Sequence, residues 1–203
     1  MKKQSRRSFV VLSSLVGVLT LTSVLLRAMQ GAPLTPDAAS SLMVSDSRAS
    51  LDVIFNTRVQ TLSNRWQSIY IHHSKTAGGN VGTLAGSSEE GCGDHFVVGN
   101  GDGAIDGEIQ FTQRWNLQQP ADPAPGSAAS TIDATCISIC VVGDFDRTAP
   151  TPTQLRRLEQ LVQTLQERLR IPAGGVWLFD GVDSTAAVGR YFPSSAFQGR
   201  LLR

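Results

Sequence analysis

The run Cys136-Ile137-Ser138-Ile139-Cys140-Val141-Val142 constrains the fold more than any other stretch. Nearly continuous apolar character over so short a segment marks a strand covered on both faces, so the chain must supply layers above and below it. Gly143-Asp144-Phe145 ends the run. A second strand, Ile69-Tyr70-Ile71-His72-His73-Ser74, alternates instead. Its period of 2 puts Ile69 and Ile71 on one face and Tyr70 with His72 on the other. The strand delivers an imidazole just before the Gly-rich turn Thr76-Ala77-Gly78-Gly79-Asn80, a place suited to chemistry. The plainer reading of His72 is a partly buried polar residue satisfied by a neighbour, and the rest of the chain must decide between the two.

Shorter strands are expected at His95–Val98, Glu108–Arg114 and Val176–Phe179, with the histidine strand opening near Trp66. The best-defined helix begins at Thr151-Pro152-Thr153-Gln154, where a Thr cap, a Pro at the first helical position and a Gln at the third form a capping-box signature. Leu155, Leu158, Leu161, Val162, Leu165 and Leu169 give it one apolar stripe, and Ile171-Pro172 stops it. The glycine-rich stretch from Asn80 to Gly93 supports only a short, weak helix, because each interior Gly costs about 1 kcal/mol relative to Ala. Asn100-Gly101-Asp102-Gly103 and Asp106-Gly107 read as solvated turns, their spacing not matching an EF-hand loop. The fold class is therefore α/β, a central mixed β-sheet flanked by helices.

With 203 residues the chain has room for one ordinary domain and appendages. A formal net charge of +1 with no basic stripe argues against a nucleic-acid partner. The N-terminus stands apart. Lys2, Lys3, Arg6 and Arg7 precede an uncharged, mostly apolar run of 18 residues, Phe9 to Leu26, so residues 1–30 form either a secretory signal or a single membrane anchor. Ser5-Arg6-Arg7-Ser8-Phe9-Val10 resembles the twin-arginine export motif. The expected location is periplasmic, extracellular, or anchored in the cytoplasmic membrane by residues 9–26, with membrane contact through the N-terminal segment if it is not cleaved. Residues 31–64 read as a linker and N-terminal arm, with 31–50 a tether rich in Ala, Ser, Pro and Asp, and residues 65–203 as the domain. Cys136 and Cys140, four strand residues or roughly 13 Å apart, cannot bridge one another. Cys92 with either of them stays open.

Five segments in order then carry a resemblance: Ile-His-His-Ser with Gly-Gly-Asn; His95-Phe96-Val97-Val98-Gly99-Asn100-Gly101; Arg114-Trp115-Asn116-Leu117-Gln118; Ile139 to Phe145; and Gly189-Arg190-Tyr191-Phe192-Pro193. Together, over Trp66 to Pro193, they resemble the zinc-dependent N-acetylmuramoyl-L-alanine amidases, which share a fold with peptidoglycan-recognition proteins and T7-type lysozyme. The resemblance implies a substrate groove on one face of the sheet. It also implies zinc held by two His and a Cys or Asp, polarising the amide between muramic acid and L-alanine.

Carried over residue by residue, the resemblance leaves that site incomplete. His72 matches the first zinc ligand, but Phe179 and Ala187 stand at the other two ligand positions. Asp94 occupies the place of an assisting Tyr, and Thr185 that of an assisting Lys or Thr. The substrate groove is expected at His72, Asp94, Phe179 and Thr185. With only His72, His73 and His95 in the chain, no downstream histidine repairs the triad. His73 should face away from His72, His95 reads as structural, and Asp180 should point to the opposite face from Phe179. His72 with Asp94 and Asp183 remains an improvised alternative. One imidazole does not hold zinc, so the expectation is no cofactor and no cluster of ligands around His72. The chain then reads as a pseudoenzyme that binds peptidoglycan, a muropeptide or a protein partner without hydrolysis. The alternative is an active N-acetylmuramoyl-L-alanine amidase, with zinc.

Overall fold

The computed structural model describes residues 40–42, 48–62, 64–86, 91–122, 133–179 and 188–201. Pro36–Arg203 form one compact unit. Six strands build one sheet: β1 (Ser40–Leu42), β2 (Ser68–His73), β3 (Phe96–Val98), β4 (Ile109–Phe111), β5 (Cys136–Val141) and β6 (Val176–Leu178), in the order β1-β4-β3-β5-β2-β6. β2, β3, β5 and β6 run parallel where they pair, and β4 and β1 add antiparallel to the β3 edge. The mixed sheet expected from the sequence is thus observed. Every residue of β5 is buried, as its apolar run requires. Strand β1 falls in the stretch read as a tether. Ser-Ser-Leu is too short and too small in its side chains to announce itself, and its place comes from pairing with Ile109–Phe111.

Between the strands lie α1 (Val81–Ala85), α2 (Gln113–Asn116), α3 (Pro152–Leu169) and, at the end, α4 (Ser194–Gln198). α3 connects β5 to the parallel strand β6, and its stripe Leu158, Leu161, Val162, Leu165 and Leu169 is buried against Ile69, Ile71, Ile137, Ile139 and Val141. Thr151 caps it, accepting the backbone N–H of Gln154 at 3.0 Å. The Gln154 side chain is used elsewhere: its amide donates to the carbonyls of Val98 and Val142, tying the helix to the ends of β3 and β5. A 3-10 helix at Arg48–Phe55 seats Leu51 and Ile54 in the same core, the arm packing on the domain.

The turn after β2 is braced by the Asp-rich turn. Gly79 N–H donates to the Asp102 carbonyl at 2.8 Å, Asn80 Nδ2 to the Gly103 carbonyl and Asn100 Nδ2 to that of Ala77. Gly103, at φ +84°, lies so close to the Gly79 backbone that a Cβ would sit 3.0 Å from it. This turn is a buttress. Asn80 and Thr83 close a capping box around the five-residue α1, so short a helix being what its glycines predict. Among the described residues no helix is long and apolar enough to cross a membrane, and residues 9–26 lie outside them.

Candidate functional site

β5 reads as uniformly apolar, yet its residues alternate: Ile137, Ile139 and Val141 face the α3 core, leaving Cys136, Ser138 and Cys140 for the opposite face. That face is shared with Tyr70 and His72, because β2 and β5 pair with Tyr70 opposite Ser138 and His72 opposite Cys140. β6 joins from the other side with Trp177 opposite Tyr70. Phe179 continues β6, its N–H donating to the Ile71 carbonyl.

The chemistry gathers at Asp94, two residues before β3. His72 Nε2 lies 2.8 Å from Asp94 Oδ1, and the hydroxyl of Ser138 donates to the same oxygen. His72 Nδ1 faces the carbonyl of His73 at 3.3 Å. Both ring nitrogens therefore meet acceptors, an arrangement that favours the doubly protonated ring. Burial pushes the His72 imidazole down, but the charge and hydrogen bond of Asp94 outweigh it and leave the pKa above the ordinary value. Burial likewise pushes the Asp94 carboxyl up, and His72 and Ser138 hold it below its usual range. The pair is a buried imidazole–carboxylate contact with the Ser138 hydroxyl on the same oxygen.

The zinc triad implied by the resemblance does not fit these residues. Phe179 offers no donor atom, and its ring lies 5.5 Å from that of Tyr70, which in turn lies 5.3 Å from that of His72. Ala187 lies outside the described residues, as do Thr185, Asp180 and Asp183, and an alanine has no donor. The expectation of no ligand cluster around His72 differs from what the structure shows. Asp94 is turned onto the imidazole, and Cys140 brings a thiol, so that one donor atom from each of His72, Asp94 and Cys140 lies within 4.8 Å of the others. Cys140 was hidden from sequence reasoning because its partner on β2 is set by pairing over 68 positions. The alternation of Cys, Ser and Cys with Ile, Ile and Val was the available signal.

The other two histidines are turned away from this cluster or bonded elsewhere. His73 turns to the core face, accepts the Phe145 N–H at Nδ1 (3.0 Å) and stacks on the Phe145 ring. His95 is fully buried, edge-on to Trp66 and Trp115. Cys92, Cys136 and Cys140 are all buried, and none of them is in a disulfide. Burial lifts the Cys136 thiol to about 11. It lifts Cys140 well above the ordinary range, with Asp94 and Cys92 adding to the effect.

Residues 62–182 match the N-acetylmuramoyl-L-alanine amidase family. No curated protein matches the sequence. Similar solved structures include the N-acetylmuramoyl-L-alanine amidase LysC from Clostridium intestinale URNW, 19% identical over 71% of this chain and 91% of that one, with a TM-score of 0.49. The endolysin amidase LysCS from the same organism is 20% identical over 71% and 90%, with a TM-score of 0.48. PGRP-Hd from Alvinella pompejana is 14% identical over 72% and 91%, with a TM-score of 0.42.

Proposed function

Because the chain belongs to the N-acetylmuramoyl-L-alanine amidase family, we propose that it binds peptidoglycan fragments on the Tyr70–His72 face of its sheet without hydrolysing them. The observation that carries the reading is the engagement of His72 by Asp94, with a phenyl ring at position 179 where the family resemblance calls for a zinc ligand. An imidazole held in this way must give up its bond to the carboxylate and a proton before it can ligate a metal or act as a base. It does present fixed polarity beside aromatic surface. Trp177, which lies opposite Tyr70 on this face, is 41% exposed and Phe179 is half-buried, while Tyr70 itself is buried; exposed aromatic rings pack on apolar ligand faces at small entropic cost. Hydrolysis by the same chain is the second reading, and the approach of Cys140 to His72 and Asp94 is what favours it.

The test is sedimentation of the full chain with insoluble peptidoglycan, with released stem peptide measured in the supernatant. Co-sedimentation without release supports the proposal. Release that disappears in His72→Ala establishes the amidase instead. Failure to sediment removes peptidoglycan as the ligand and leaves a protein partner on the same face. The domain is further proposed to work outside the cytoplasm, delivered by the basic and apolar residues 2–26. Protease added to intact cells should digest it if it is anchored on the outer side, and fractionation should find it in the periplasm or medium if it is released. Recovery only with the cytosol would overturn this.

A further inference from the structure

We propose that His72, Asp94 and Cys140 hold a zinc-class cation at a position displaced from the family's, and that Cys92 closes its coordination shell. The idea goes beyond peptidoglycan binding and does not depend on it. Three observations converge. The donors come from three separate segments, yet one atom of each lies within 4.8 Å of the other two. Tetrahedral zinc with bonds of about 2.0–2.3 Å needs ligand atoms about 3.3–3.7 Å apart, a contraction that side-chain torsions supply. The backbone already sets the approach, since His72 and Cys140 are cross-strand neighbours on one face and Val97, three residues after Asp94, pairs with Cys140 on its other side.

Second, the Asp94 carboxylate is unevenly satisfied for a buried charge. Oδ1 accepts from both His72 and Ser138, whereas among the described residues Oδ2 has only the Cys92 thiol, at 3.9 Å. A buried carboxylate is stabilised by full hydrogen bonding or by a cation, and the less satisfied oxygen lies toward the sulfur of Cys92. Third, the surroundings suit a closed site. Cys92 and Cys140 pack with Val81, Val97 and Val142 beneath α1 in a small apolar cluster apart from the main core. The His72 side chain, 14% exposed, is at its rim. Thiolate, imidazole and carboxylate together select zinc or cobalt over magnesium or calcium. Four protein ligands with no open position describe a structural metal, one that braces the groove floor without activating water. Binding breaks the S–H bonds of Cys140 and Cys92 and the Nε2–H bond of His72, releasing the protons to solvent as the metal bonds form.

Cobalt(II) titration of the reduced, metal-free full chain tests this, because the near-ultraviolet thiolate-to-cobalt band scales with the number of sulfur ligands. One equivalent should bind with a band of two-thiolate intensity. Cys140→Ser and His72→Gln should each weaken binding by more than about 100-fold, beyond the loss of a merely supporting partner. Cys92→Ser should halve the band, and Cys136→Ser, farther along β5, should change nothing. If Cys140→Ser does not fold, His72→Gln at the rim of the site carries the same test, its folding verified by circular dichroism. No stoichiometric uptake by the folded wild type, or uptake unaltered in Cys140→Ser or His72→Gln, would overturn the site. A full band in Cys92→Ser would overturn the closed shell. Peptidoglycan sedimentation is measured separately, so either proposal fails without the other.

Discussion

The imidazole of His95 accepts the backbone N–H of Ser138 at Nδ1, 3.0 Å away, while Nε2 donates to the carbonyl of Gln119 at 2.8 Å. One nitrogen must accept and the other donate, so the ring is locked in its neutral Nε2–H tautomer. Burial pushes its pKa down to about 4, and protonation would break the bond to β5. The unfolded chain, with the ordinary value of 6.5, binds that proton more readily. Stability is therefore lost as pH falls from about 6.5 toward 4, by up to about 3 kcal/mol. Denaturant unfolding of wild type and His95→Gln at pH 7 and 4.5 isolates the effect. The wild type should lose more stability over that interval than the variant, and equal losses would refute the assignment.

Gln154 presents a second dependence between elements. Its Nε2 donates to Val142 at 2.7 Å and to Val98 at 3.1 Å, and the residue is fully buried. Gln154→Leu keeps the volume but leaves the Val142 carbonyl unpaired and the Val98 carbonyl with the Val142 N–H alone, which should cost about 1–3 kcal/mol, read as a lower urea midpoint with an unchanged slope. Gln154→Glu turns an oxygen toward the same carbonyls, and its penalty should grow as pH rises and the carboxyl ionises. A Leu variant within about 0.5 kcal/mol of wild type would show that the bridge is dispensable.

Gly189 closes the turn into Arg190-Tyr191-Phe192 at φ +82°, and a Cβ there would lie 2.5 Å from the Phe145 carbonyl carbon. The contact is with backbone, which cannot step aside as a side-chain tip can. Gly189→Ala should therefore lower stability by about 2 kcal/mol or more, from strain and overlap together, seen as a fall in Tm. An unchanged Tm would mean that Phe145 and its ring contacts with His73 and Phe192 yield readily.

How far the sequence reached follows from whether each signal is local. β2, β5 and α3 declare themselves by period and by the Thr151-Pro152 start, all contained within a few residues. The Gln154 bridge could not be read in this way: a Gln three positions after a cap suggests a capping box, and only the sheet shows that its amide is committed to Val98 and Val142. The candidate site divides similarly. His72 and the absence of further histidines are visible in the letters, and the resemblance marks Phe179 as the lost ligand. The meeting of His72, Asp94, Ser138 and Cys140 depends on strand register, which side-chain alternation narrows to one face but does not fix along the strand.

The three cysteines give the last prediction. Cys92, Cys136 and Cys140 are at most 4% exposed, and burial holds Cys136 near 11 and Cys140 higher than its ordinary value. Only the thiolate attacks a disulfide reagent, so at pH 8 low access and a small thiolate fraction act together to suppress reaction. The folded protein should therefore consume almost no aromatic disulfide reagent over minutes, and the denatured protein three equivalents. Because β5 is the buried centre of the sheet, its two thiols should become reactive only as the whole domain unfolds. Their labelling rate should follow global stability across a urea series, while Cys92, outside any strand, should label first. Prompt labelling of Cys140 in native buffer would mean that the face beneath α1 opens without unfolding.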